Sequence, residues 1–272
     1  MSGTEIIRIP AFTDNYLWLL HVPGSSTAIA IDPGDGAAVQ QVLQRQEWQL
    51  TAILLTHRHH DHMGGVEILR QQYPNIPVYG PHSPHMPCVT QVVGGGEQLH
   101  WADSNGLPNL SVLAVPGHTV EHIAYHFTEH SVIKLFSGDT LFAGGCGRLF
   151  DGEPLRFYAT LQALMQWPPS TEIYCAHEYT ASNLRFALAV EPDSAALQTR
   201  YAQVLAQRAE GIATVPTTLA IELATNPFLR THLPSIQAKV EAWRQAHAPN
   251  LSPATDPGTC FAAMRQWKTE FV

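Results

Sequence analysis

Four histidines and an aspartate crowd into the stretch Thr56-His-Arg-His-His-Asp-His-Met-Gly-Gly65 as His57, His59, His60, Asp61 and His62. Imidazole nitrogen and carboxylate oxygen are the ligands that borderline divalent cations such as Zn²⁺ prefer. A single tetrahedral catalytic ion takes about three protein ligands, and this stretch alone offers up to five. More than one ion is therefore expected. Three further metal-competent side chains follow: His118 in Pro116-Gly-His-Thr119, Asp139 in Ser137-Gly-Asp-Thr140 and His177 in Ala176-His-Glu178.

Placing His57, His59 and His118 on one ion, and Asp61, His62 and His177 on a second, leaves Asp139 to bridge them. Each ion then has three terminal ligands and a shared carboxylate, with room for a bridging water or hydroxide. Two ions about 3.5–4 Å apart lower the pKa of such a water toward neutrality and polarise a substrate oxygen. Asp61 and Asp139 are thus candidates both as ligands and as catalytic carboxylates. The donor set suits Zn, with Fe or Mn also compatible. No cysteine is needed, unlike a closed structural zinc site.

The elements that must position these residues repeat one theme. Strands are expected over Glu5–Ile9, Tyr16–His21, Thr27–Ile31, Ala52–Leu55, Leu110–Val115, Ser131–Phe136 and Glu172–Ala176, with Ile123, Tyr125 and Phe127 alternating in a further one. His57, His118, Asp139 and His177 each follow such a strand, so they can converge on one rim of a sheet system. Helices are expected over Ala37–Gln46, after Gly65, and around Phe157, Leu161 and Leu164. From about Tyr179 apolar residues recur at three and four spacing, in Asn183–Val190, Ala195–Arg208, Leu219–Leu223, Ser235–His247 and a last helix with Arg265 and Lys268. Gly211–Thr218 and Pro249–Gly258 read as linkers. The expected organisation is an α/β metal-binding domain over 1–178 and a helical domain over 179–272. Residues 80–96 read as a loop in which His82, His85 and Cys88 are solvated rather than ligating, because the prolines break any regular ligand face. His60 lies out of phase with His57 and His59, so an exposed or supporting role fits it. His122 positions its loop or packs, and His126 and His130 fit strand-edge or turn positions. Cys146 has no evident base to make it a thiolate.

The composition bounds the function class. The chain has 272 residues, enough for one large domain or two ordinary ones, and 45% are hydrophobic. A net charge of −8 argues against nucleic-acid or membrane-surface partners. The 15 histidines equal Lys and Arg combined, and histidine is the commonest metal ligand. The four cysteines form no C-x-x-C pair and read as reduced thiols of a cytoplasmic protein. The N-terminus shows no secretory pattern, and no apolar run approaches the roughly 20 residues of a membrane span. No interface signal stands out, so a monomer is expected.

The Thr56-His-x-His-x-Asp-His62 stretch with His118, Asp139 and His177 resembles the metallo-β-lactamase superfamily. Within it the chain is similar over nearly its whole length to the glyoxalase II (hydroxyacylglutathione hydrolase) family. The closer match rests on Ala143-Gly-Gly-Cys-Gly-Arg-Leu-Phe150, Ala176-His-Glu-Tyr-Thr180, Asn226-Pro-Phe-Leu-Arg230 and Arg265-x-x-Lys268. The resemblance implies a four-layer αββα sandwich followed by a C-terminal helical, substrate-binding domain. It implies hydrolysis of S-D-lactoylglutathione to D-lactate and glutathione by a metal-bridging hydroxide, the second step of methylglyoxal degradation. The ligand assignment above agrees with the family's. Arg148, Tyr179, Arg265 and Lys268 are then the implied holders of the glutathione moiety. Two departures stand out: Arg148 where many members carry Lys, and Phe150 where many carry Tyr. The competing expectations are another enzyme on the same scaffold, such as a lactamase-like hydrolase, another thioesterase or a persulfide dioxygenase, and a non-catalytic metal-binding module.

Overall fold

The computed structural model describes residues 3–101 and 106–271. Its contacts divide into two compact units, Met1–Val115 with Glu121–Gly138 and Pro116–Val120 with Asp139–Val272.

The first unit opens with an antiparallel hairpin, β1 (Glu5–Ala11) and β2 (Asn15–His21), which pair from Glu5↔His21 to Ala11↔Asn15. Every residue of β2 is buried. That explains its unbroken apolar run, since a strand covered on both faces has no reason to alternate. β3 (Thr27–Ile31) continues the sheet antiparallel to β2. The chain then crosses over through α1 (Gly36–Gln46), whose first turn is capped by Asp35 accepting from Ala38 N (3.0 Å). It returns parallel as β4 (Gln49–Leu54). After α2 (His60–Met63) and α3 (Val66–Gln72), two short parallel strands, β5 (Val78–Gly80) and β6 (Gln91–Val92), finish a six-stranded sheet in sequential order. The core beneath α1 and α3 is made of side chains such as Val39, Leu43, Ile53, Val66, Leu69 and Val78. Each such fully buried aliphatic contributes about 1.5–3 kcal/mol through the hydrophobic effect.

The second sheet of this unit holds β7 (Gln98–Leu99), β8 (Leu110–Ala114), β9 (Ile123–Glu129) and β10 (Val132–Gly138), antiparallel neighbours in that order. Trp18 of β2 meets Phe136 of β10 edge-on at 6.4 Å, which sets the two sheets face to face. Residues 80–96, expected as loop, contain β6, an element too short for a periodic pattern to reveal.

The second unit begins with the ligand loop Pro116–Val120 and a small hairpin, β11 (Leu141–Phe142) and β12 (Gly145–Cys146). α4 (Pro154–Leu164) and β13 (Glu172–Cys175) follow. Then come α5 (Thr180–Val190), α6 (Ala195–Ala209), β14 (Thr217–Thr218), α7 (Leu219–Thr225), α8 (Pro234–His247) and α9 (Pro257–Glu270). The expected linker 211–218 thus ends in a two-residue strand that pairs with β13. α9 is started by a capping box: Asp256 accepts from Thr259 N, and the Thr259 hydroxyl reaches back to the cap. Leu184 and Ala187 of α5 pack on Leu197 and Val204 of α6. Phe157, Phe228 and Phe261 meet at edge-on angles in the core beside α4 and α9. Among the described residues no helix is long and apolar enough to cross a membrane.

Candidate metal centre

The parallel strands β3 and β4 end side by side, and the first ligand group leaves from their carboxyl ends. Asp32 follows β3 in a left-handed conformation (φ 50°) that Asp tolerates better than most residues. Its buried carboxylate gathers the loop after β4. Oδ1 accepts from Thr56 N (2.8 Å), and Oδ2 accepts from Thr56 Oγ1 (2.8 Å) and from His62 Nδ1 (2.9 Å). Thr56 gives its only hydroxyl proton to Asp32, so the hydroxyl oxygen receives the proton of His57 Nδ1, 3.0 Å away. These bonds fix the tautomers of His57 and His62 and put a lone pair on each Nε2. His57 Nε2 and His59 Nδ1 stand 2.9 Å apart, close to the separation of two ligands on one ion with bonds of about 2.0–2.1 Å. Asp61 Oδ2 lies 3.6 Å from His62 Nε2 and accepts from Asn15 Nδ2 (2.9 Å). Arg58 turns outward from the same loop to pair with Glu121 (2.5 Å). His60 is exposed. His122, buried, stacks on His57 (centroids 4.6 Å, 19°) and backs that ring.

The second unit carries its own ligand group. His118 Nδ1 donates to the Arg148 carbonyl (2.7 Å), which again leaves the lone pair on Nε2. That Nε2 lies 3.4 Å from Asp139 Oδ2, while His177 Nε2 lies 3.3 Å from Asp139 Oδ1. Each oxygen of Asp139 therefore faces a different histidine, the disposition of a carboxylate shared between two ions. Gly138, at φ 50°, delivers Asp139: a side chain there would strike Thr56 Oγ1 and His122 within 3 Å. Gly147 is equally confined, since an added Cβ would sit 2.0 Å from the Asp139 carbonyl oxygen. Imidazoles with fixed tautomers beside carboxylates are the donor chemistry of a divalent metal centre, so the residues fit such ions.

The residues expected to bind substrate belong to the same second unit. Tyr179, half-buried, stacks parallel on His177 (4.6 Å, 4°). Arg148 is exposed, with its guanidinium 6.0 Å from the Phe150 ring, and that ring meets His118 edge-on at 5.0 Å. Arg265 is 5% exposed, and its Nη1 donates to the carbonyls of Cys146 (3.0 Å) and Gly147 (3.4 Å). It thus also holds the glycine-rich loop behind Asp139. Lys268 is half-buried, donating to Ser182 O (3.3 Å). Burial, then neighbouring Arg265 and Arg185, push its ammonium down to about 8. Cys146 is buried and its thiol is pushed up to about 11 by desolvation, so it is no thiolate nucleophile. His82 and His85 are exposed, Cys88 is buried, and none of the three belongs to a metal-competent group among the described residues.

Two contributors escaped the sequence. Asp32 stands in an Asp-Pro-Gly sequence that reads as a plain turn, yet it orders the ligand loop from 24 and 30 positions away. The Asn226-Pro-Phe-Leu motif works through Asn226, whose Nδ2 donates to Gly145 O (3.0 Å) and to Glu222 Oε2 (3.0 Å). Fully buried Glu222 in turn accepts from Gly144 N (2.7 Å) and Arg200 Nη2 (2.6 Å). Together they clamp the loop that carries Cys146 to Arg148.

Comparison with known proteins bears on this geometry. The family described as Metallo-beta-lactamase superfamily matches residues 15–177, and that described as Hydroxyacylglutathione hydrolase C-terminus matches residues 178–271. The chain is 46% identical to a hydroxyacylglutathione hydrolase of Photobacterium profundum, over 97% of this chain and 98% of the relative. It is 47% identical to one of Alkalilimnicola ehrlichii, over 98% and 99%. Among solved structures it resembles ETHE1 from Myxococcus xanthus at TM-score 0.62 and 21% identity, over 98% of this chain and 99% of that one, a likeness of fold.

Proposed function

From a chain that belongs to the hydroxyacylglutathione hydrolases of the metallo-β-lactamase superfamily, we propose a reading of how its residues work. The fold is the metallo-β-lactamase fold followed by a C-terminal helical domain. The chain is a thioester hydrolase that acts on hydroxyacylglutathione, and its His/Asp cluster is that of a binuclear metal site. We take S-D-lactoylglutathione as the substrate, giving D-lactate and glutathione in methylglyoxal degradation.

His57, His59 and His118 would hold one ion and Asp61, His62 and His177 a second, with Asp139 as the carboxylate available to both. What carries this reading is the grouping of ligand atoms. In the first unit His57 Nε2 and His59 Nδ1 stand 2.9 Å apart, and in the second each carboxylate oxygen of Asp139 faces a different histidine, His118 at 3.4 Å and His177 at 3.3 Å. Zinc is the ion this imidazole-rich set favours, with Fe or Mn as substitutes. Bound there, divalent cations acidify water and polarise the thioester carbonyl. Asp61, fixed by Asn15, orients the attacking water. Thiolate is a good leaving group, so no strong general acid is needed. Arg148, Tyr179, Arg265 and Lys268 hold the glutathione part and its glycine carboxylate, while Phe150 supplies an aromatic face without a hydroxyl. We divide the work at residue 178, catalysis before and substrate binding after, a division supported by the two family matches. The chain is taken as a cytoplasmic monomer, in keeping with four free, buried cysteines.

The test offers zinc-loaded protein S-D-lactoylglutathione and, separately, glutathione persulfide. Thiol release from the first and no oxygen uptake with the second is the expected result. Oxygen uptake without thioester cleavage refutes the reading.

A further inference from the structure

The turn between β1 and β2 holds a residue that fits its backbone poorly. Phe12 adopts the left-handed conformation (φ 51°) and is 58% exposed. In that conformation the Cβ crowds the backbone, so a bulky aromatic residue there is strained. The other non-glycine residues with positive φ among the described residues are Asp32, Glu47, His130 and Ser131, all polar. Gly or Asn would take the same turn with less strain. Strain of this kind gathers where a side chain has a task, and exposure leaves the Phe12 ring free to meet a ligand.

Strand register places the turn at the first ligand group. β2 runs antiparallel to β3 with Trp18 opposite Ile31, so the chain before Trp18 lies beyond the carboxyl end of β3. Ile31 stands beside Leu54 of parallel β4, and the carboxyl end of β4 releases the loop with His57, His59, Asp61 and His62. The hairpin closes with Ala11 paired to Asn15, and Asn15 Nδ2 donates to Asp61 Oδ2 (2.9 Å). Phe12 thus follows the residue paired with Asn15, and Asn15 links this turn to the ligand loop.

A thioester whose carbonyl is polarised at these ligands carries its acyl group beside them. The proposed function provides for the glutathione part with residues of the second unit and leaves the acyl part without a contact. Beyond its α-hydroxyl, an acyl group presents carbon, which suits an aromatic face. Building on the proposed activity, we infer that Phe12 is the wall against which the acyl group of the thioester rests. Phe12 thereby selects acyl groups with an apolar or aromatic substituent on the α-carbon over those with none.

The test uses the full-length, zinc-loaded protein and two thioesters. S-D-mandeloylglutathione bears a phenyl ring on the α-carbon, and S-glycoloylglutathione bears no substituent there. The readout is the ratio of kcat/KM for the first to kcat/KM for the second. Phe12→Gly, which takes a positive φ without strain and so keeps the turn, lowers this ratio about tenfold. Phe12→Asn lowers it likewise, and Phe12→Tyr, which keeps the ring, holds the parent ratio. A parent with no preference for the mandeloyl thioester, or a ratio in Phe12→Gly equal to the parent's, overturns the assignment. Calorimetry with D-mandelate and glycolate, the acids that these thioesters release, separates this inference from the activity on which it builds. If no thioester is cleaved yet the parent prefers D-mandelate and Phe12→Gly loses that preference, the activity fails and the wall stands. If no thioester is cleaved and the parent shows no such preference, or Phe12→Gly keeps it, both fail. If thioesters are cleaved with a ratio that ignores Phe12, only the wall fails.

Discussion

At the scale of the residue, the chemistry depends on which imidazole nitrogen carries the proton. Asp32, Thr56 and the Arg148 carbonyl settle that for His62, His57 and His118 before any ion arrives. Replacing Asp32 by Ala removes the acceptor of three bonds, and metal affinity should fall about 10–100-fold. Competition with a chromophoric chelator measures this; unchanged affinity would deny Asp32 its role. Lys268 makes a prediction in pH. Its ammonium is pushed down to about 8, mainly by burial, so its positive charge is present below that pH and lost above it. The kcat/KM for an anionic thioester, which reports the free enzyme, should therefore decline as pH rises through about 8. Lys268→Arg, which stays charged, should remove that decline, and an identical profile in the variant would contradict the assignment. The candidate ligands stood out in the sequence because several imidazoles and a carboxylate at such close spacing are the donor set of a metal site. Asp32 was not, because its partners lie far along the chain and its Pro-Gly context reads equally well as a plain turn.

At the scale of the element, strand exits explain most of the site. β4, β10 and β13 end one to three residues before His57, Asp139 and His177, and apolar runs closed by Gly, Thr or His announced those exits in the sequence. β6 and β14 were illegible, since two residues carry no period and exist only by pairing with a neighbour. The network of Glu222, Asn226 and Arg200 shows how helix α7 fixes the glycine-rich loop. Asn226→Ala leaves buried partners unsatisfied at a cost of about 1–3 kcal/mol. Thermal melting should record a drop in Tm of several degrees. An unaltered Tm would mean that the loop is held by other contacts.

At the scale of the whole molecule, the division of labour follows from chemistry rather than from fold. Related scaffolds share the sheets, as the likeness to ETHE1 at 21% identity shows. On the proposed reading the substrate is chosen by what lies after the last candidate ligand: Tyr179, which stacks on His177, and Arg265 and Lys268 of α9. The helical character of residues 179–272 was legible from apolar spacing. The aromatic contacts of Phe261 with Phe228 and with Phe157 of α4 were not, because contacts between distant elements leave no local pattern. The central claim is that two metal ions make this chain a glutathione thioesterase. It is tested most directly by stripping the protein of metal and titrating Zn²⁺ back while following thiol release from S-D-lactoylglutathione. The account predicts no release from the stripped protein and a rate that rises to a plateau at two ions per chain. Full activity in the stripped protein, or no thiol release at any metal loading, would contradict it.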